Sequence, residues 1–130
     1  MQDFEATLRA WLVTQVTLTT QTGTRVYVDE FPEGFAISKS LLLREASGSD
    51  HEIVPASEMF VEFLCTGANL IDAKTVYRAL HDVLRAVSGG TTMSLKKVWW
   101  NIKTFGPSRL DDEDTDWPTI QCEYRFRVEE

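Results

Sequence analysis

Apolar positions along the chain mark out two helices and five strands. Phe4, Leu8, Trp11, Leu12 and Val16 fall on one face at helical spacing, and Asp3 can cap that helix. The β-branched, Thr-rich stretch Thr17–Thr22 and then Gly23 are expected to end it. Arg25–Asp29 alternates polar and apolar and reads as a strand, followed by turn chemistry in Phe31-Pro32-Glu33-Gly34. Phe35–Glu45 reads as a second strand with Phe35, Ile37, Leu41 and Leu43 on one face, closed by a polar turn over Ser47–Asp50. In a third strand, Glu58–Thr66, Met59, Val61, Phe63 and Cys65 share one face. Phe60, Glu62 and Leu64 share the other, and two largely apolar faces predict a central strand.

The clearest helix follows Gly67. Ala73, Val76, Tyr77, Leu80, Val83, Leu84 and Val87 keep to the i, i+3, i+4, i+7 rule, with Asn69 or Asp72 as cap and Gly89-Gly90 as stop. Its outer face carries Lys74, Arg78, His81, Asp82 and Arg85. Lys97–Phe105 and Thr119–Val128 are the fourth and fifth strands. The last alternates cleanly, with Ile120, Cys122, Tyr124, Phe126 and Val128 inward. The order α-β-β-β-α-β-β predicts an α+β fold, a mainly antiparallel sheet with two amphipathic helices packed on one face. No repeat, low-complexity tract or linker divides residues 1–130, so one domain is expected.

Hydrophobic residues make up 43% of the chain, enough to fill a core. A pI near 4.8 argues against a groove that grips nucleic acid, since phosphate contacts need clustered Lys and Arg. Cys65 and Cys122 lie at inward positions of separate strands and read as buried, reduced thiols. The opening MQDFEATLRAW has neither a basic region nor an apolar core of the kind a signal peptide needs. No stretch is apolar enough to span a bilayer, so a cytosolic setting without membrane contact is expected.

Charge changes the picture most between Gly106 and Pro118, GPSRLDDEDTDWP, read as a loop between two strands. Asp111, Asp112, Glu113, Asp114 and Asp116 make five of six consecutive residues acidic and supply most of the net charge of −7. Such a cluster must face water, a cation or a basic surface, because buried carboxylates need partners. Asp112, Asp114, Asp116 and Glu123 match positions 1, 3, 5 and 12 of a calcium loop, but Trp117 stands where that loop needs Gly and Pro118 follows. A solvated or partner-facing acidic loop is therefore the better reading. His51 and His81 read as surface residues without a Ser or Cys elbow, and Gly89-Gly90 does not open a helix after a strand. No catalytic, cofactor or metal site is expected.

Other residues point to association. Trp99 and Trp100 must face opposite sides of their strand, and Leu41-Leu42-Leu43 raises the same question, so these five are candidate interface residues. Lys74, Arg78 and Arg85 form a basic stripe able to receive acidic residues of an adjacent subunit.

The arrangement as a whole resembles the tail terminator or tail-completion proteins of long-tailed bacteriophages, including the type labelled minor capsid protein. The resemblance rests on the N-terminal helix FEATLRAWLV before GTRVYVDEFP, the strand-to-helix unit MFVEFLCTGANLIDAKTVYRALHDVL, and WPTIQCEYRFRV after an acidic turn. It implies an α+β subunit that forms a ring with copies of itself, usually a hexamer. The ring caps the tail tube protein, ends tail growth and meets a head–tail connector protein, while DNA passes its lumen without specific binding. The resemblance adds a lumen-facing position as the alternative for the acidic loop. It further implies assembly in the host cytoplasm, a place in the virion at the tail end near the head–tail junction, and no catalytic residues. The residues alone leave two alternatives: a monomeric acidic adaptor, or a small metal-assisted enzyme built on the acidic loop.

Overall fold

The computed structural model describes residues 4–32, 38–50, 56–87, 91–93, 96–111 and 118–129. Three helices, α1 (Phe4–Leu12), α2 (Val16–Thr22) and α3 (Leu70–Arg85), accompany six strands. These are β1 (Val26–Val28), β2 (Ser40–Asp50), β3 (Ala56–Thr66), β4 (Thr91–Met93), β5 (Lys96–Asp111) and β6 (Pro118–Glu129). The strands form one sheet in the order β1-β2-β3-β6-β5-β4. β1 runs parallel to β2 and every other pair is antiparallel, so the fold is α+β with a mixed sheet.

The one-sided alternation of β3 and β6 builds the core. Met59, Val61, Phe63 and Cys65 lie beside Ile120, Cys122, Tyr124, Phe126 and Val128, all buried. Phe4 of α1 meets Phe126 edge-on with ring centroids 5.4 Å apart, and Phe63 meets Tyr124 at 5.8 Å. Leu8, Leu12 and Leu18 join them from the N-terminal helices, and Val76, Leu80 and Leu84 from α3, in one contiguous cluster. The Asn69 side chain accepts a hydrogen bond from the Asp72 amide at 2.9 Å and so caps α3. β3 is central, between β2 and β6.

Several elements differ from the expectation. The first helix is two. At its break the amides of Thr14 and Gln15 reach back only three residues, and the Thr14 hydroxyl donates to the Trp11 carbonyl at 2.6 Å. Val16 is thereby turned outward, 75% exposed. The Thr-rich run forms α2 because its hydroxyls are satisfied within the helix: Thr20 donates to the Val16 carbonyl and Thr22 to that of Leu18. Gly23, at φ 59, then ends it. Ser47–Asp50 is not a turn but the end of β2, reached through a bulge between Glu45 and Ser47. β5 continues past Phe105 to Asp111, and β4 is an additional short strand. Phe35, Ile37, His51 and Gly89-Gly90 lie outside the described residues.

Candidate functional site

A hollow of about 460 Å³ lies between α3 and the hairpin of β5 and β6. Its floor is apolar: Leu70 and Tyr77 from the helix, Pro107 from β5 and Ile120 from β6. Its rim is cationic: Lys74 and Arg78 from α3 and Arg109 from β5. Helical geometry puts Leu70, Lys74, Tyr77 and Arg78 on adjoining turns of one face. Arg109 is brought to them because β5 stays paired with β6 beyond Phe105, with Arg109 opposite Ile120. Among the described residues no Asp or Glu lines this groove.

The basic stripe read from the sequence is divided. Lys74 and Arg78 share the groove with Arg109, whereas Arg85 lines a second hollow of about 170 Å³ with His81, Asn101, Lys103 and Tyr124. Arg85 also stands 3.8 Å from Asp82, one turn back. His81 is not a free surface residue. Its Nδ1 lies 2.6 Å from the Tyr124 hydroxyl and its ring stacks on Tyr77 at 5.9 Å. Lys103 donates to the Tyr77 hydroxyl at 3.1 Å. Burial pushes the Tyr124 phenol well above its usual range, reinforced by nearby Cys122 and Tyr77, so Tyr124 stays protonated at neutral pH.

Cys65 and Cys122 are buried and free. Burial first, and the adjacent Cys122 thiol second, raise Cys65 well above the ordinary thiol value. A thiol held neutral in this way is a packing group and not a nucleophile. Among the described residues no group of three or more His, Cys, Asp or Glu is placed to hold a metal ion. Among the described residues no helix is long and apolar enough to cross a membrane.

The candidate interface residues Leu41, Leu42 and Leu43 are buried within the chain, at 0%, 4% and 0% exposure. Leu41 and Leu43 belong to the core cluster. Leu42, expected to stand exposed, lies on the opposite face in a cross-strand row between Tyr27 of β1 and Leu64 of β3. With Leu42 buried in that row, these three leucines offer no exposed patch. Trp99 and Trp100 sit in β5 at a register shift, with Trp100 opposite Arg127; their side chains lie outside the described residues. Of the acidic cluster, Asp111 ends β5 opposite Pro118. Asp112, Glu113, Asp114 and Asp116 fall outside the described residues, as does Trp117.

Sequence reading missed Arg109, Pro107 and Lys103. Gly106-Pro107 and the acids after it read as a loop, which placed Arg109 in solvent. The available signal was alternation: Arg109 falls in the same phase as Pro107, opposite the inward Ile120 of the most regular strand.

No protein-family model matches this sequence, and no curated protein sequence matches it. Its fold is similar to that of a chain from the virion of a native gene transfer agent particle. The TM-score is 0.68 at 20% sequence identity, over 100% of this chain and 100% of that one. At that identity the likeness concerns the fold.

Proposed function

We propose that this chain is a structural subunit of a phage-like particle which assembles into a ring, a hexamer by the family resemblance, capping the tail tube. In this role it ends tube growth and presents the surface that a head–tail connector protein meets. The observation that carries the reading is the full-length fold likeness to a chain of a virion particle, with no unmatched domain on either side. The groove supports it: an apolar floor ringed by cations suits contact with another protein. The net charge of −7 supports passage of DNA through the ring without capture, because acidic walls repel phosphates. The chain acts by assembly and not by catalysis, within the virion at the tail end near the head.

Deleting this chain from the particle that encodes it tests the proposal. The expected result by electron microscopy is tail tubes of uncontrolled length and heads left unjoined, both corrected by supplying the chain in trans. Tails of normal length joined to heads in the deletion would overturn it.

A further inference from the structure

We propose that the groove between α3 and the β5–β6 hairpin receives the acidic segment 112–117 of a second copy of this chain. The inference rests on the ring reading above and names the contact that would build the ring. Its basis is a match of two halves. The groove offers Lys74, Arg78 and Arg109 around Leu70, Tyr77, Pro107 and Ile120. The segment between Asp111 and Pro118 offers Asp112, Glu113, Asp114 and Asp116 followed by Trp117. Carboxylates meet the rim through charge-assisted hydrogen bonds, and the arginine forks suit them bidentately. The indole is the one large apolar group in the segment, and an apolar floor beside a tyrosine and two arginines is where an indole packs.

A ring needs a head-to-tail contact, in which one patch of each subunit meets a different patch of the next. An acidic segment and a basic recess on one chain are two such patches. β5 ends at Asp111, two residues beyond Arg109, and β6 begins at Pro118, so the two ends of the segment lie at the same end of the sheet as Arg109. Charge complementarity of this kind steers docking and fixes register more than it adds raw affinity.

The test uses a fluorescently labelled peptide covering residues 111–118 and the full chain, followed by fluorescence anisotropy. Saturable binding is expected. It should weaken on going from about 0.1 M to about 1 M salt, as the screening length falls from about 10 Å to about 3 Å. Lys74→Glu with Arg78→Glu should weaken it by about tenfold or more, and Trp117→Ala in the peptide should weaken it too. Both helix residues are exposed, so the double variant should keep the wild-type melting curve. If it does not fold, Lys74→Gln with Arg78→Gln takes its place.

No binding, or equal binding by the groove variant, overturns the proposal. Binding seen only after the chain's own acids are changed to Asn and Gln would show that each groove holds its own loop, which also overturns it. In particles, the groove variant should reproduce the deletion phenotype, and reversing acids of the segment to Lys in the same chain should restore tail length in part. Normal tails with the groove variant would remove this contact while leaving the capping role intact.

Discussion

At Leu42 the sheet buries a leucine on the face opposite the main core. Tyr27 and Leu64 flank it across β1 and β3, and little of it is left to water at 4% exposure. A lysine there would carry a charge into a buried apolar row, and desolvation penalises it. We expect Leu42→Lys to cost roughly 3 kcal/mol or more in folding stability, and Leu42→Ala about 2–4 kcal/mol from lost burial and the cavity left behind. Urea denaturation checks both. A wild-type unfolding midpoint combined with weakened self-association would restore the exposed-interface reading of this residue. The sequence misled here because a run of three leucines in a strand gives no indication of what lies over its second face. Its flanking residues on that face are distant in sequence, Tyr27 fifteen residues before and Leu64 twenty-two after.

At the scale of elements, the hairpin of β5 and β6 decides where the groove's third cation stands. Gly106 adopts φ 89, and a Cβ there would come within 2.5 Å of the Gln121 carbonyl oxygen. Alanine at 106 therefore faces both an unfavourable backbone region and a backbone clash. We expect Gly106→Ala to destabilise the fold by roughly 2 kcal/mol and to weaken peptide binding at the groove, since Pro107 and Arg109 follow directly. Thermal melting and the anisotropy titration read the two effects separately, and an unchanged melting temperature would contradict the argument.

The same hairpin shows what was legible in the sequence. β3, β6 and α3 could be read because a single buried face imposes a period that local sequence records: Met59-Val61-Phe63-Cys65, Ile120 to Val128, and Ala73 to Val87. The continuation of β5 through Gly106-Pro107 could not. Turn residues are a local signal, whereas this strand is held by pairing with β6 some fifteen residues on. Pro107 is tolerated because it falls where β5 shifts register against β6, between Phe105 opposite Glu123 and Ser108 opposite Gln121, so its missing amide lies at an irregular point of the ladder. The candidate site was legible by half. Lys74 and Arg78 came from helical spacing, and Arg109 waited on that non-local pairing.

For the molecule as a whole, the question is what the charge of −7 is for. Asp111, Asp112, Glu113, Asp114 and Asp116 hold most of it, while Lys74, Arg78 and Arg109 gather at one groove. A run of like charges this dense needs water or a partner and contributes little to folding, so changing all five acids to Asn or Gln should move stability by no more than about 0.5 kcal/mol. Function should respond far more. If the acids dock on the groove of a neighbouring copy, their loss leaves that groove unfilled and the ring without its register. If acidic walls keep DNA sliding, the same change leaves a nearly neutral chain with an open basic groove. Such a chain should retain DNA at low salt where the wild type does not, and release it steeply as salt rises. Gel-shift titration of both proteins against duplex DNA, beside urea denaturation, separates these effects. DNA retention by the wild type at about 0.1 M salt, or a large loss of stability in the neutralised variant, would mean that the acidic cluster serves the fold and not the passage of DNA.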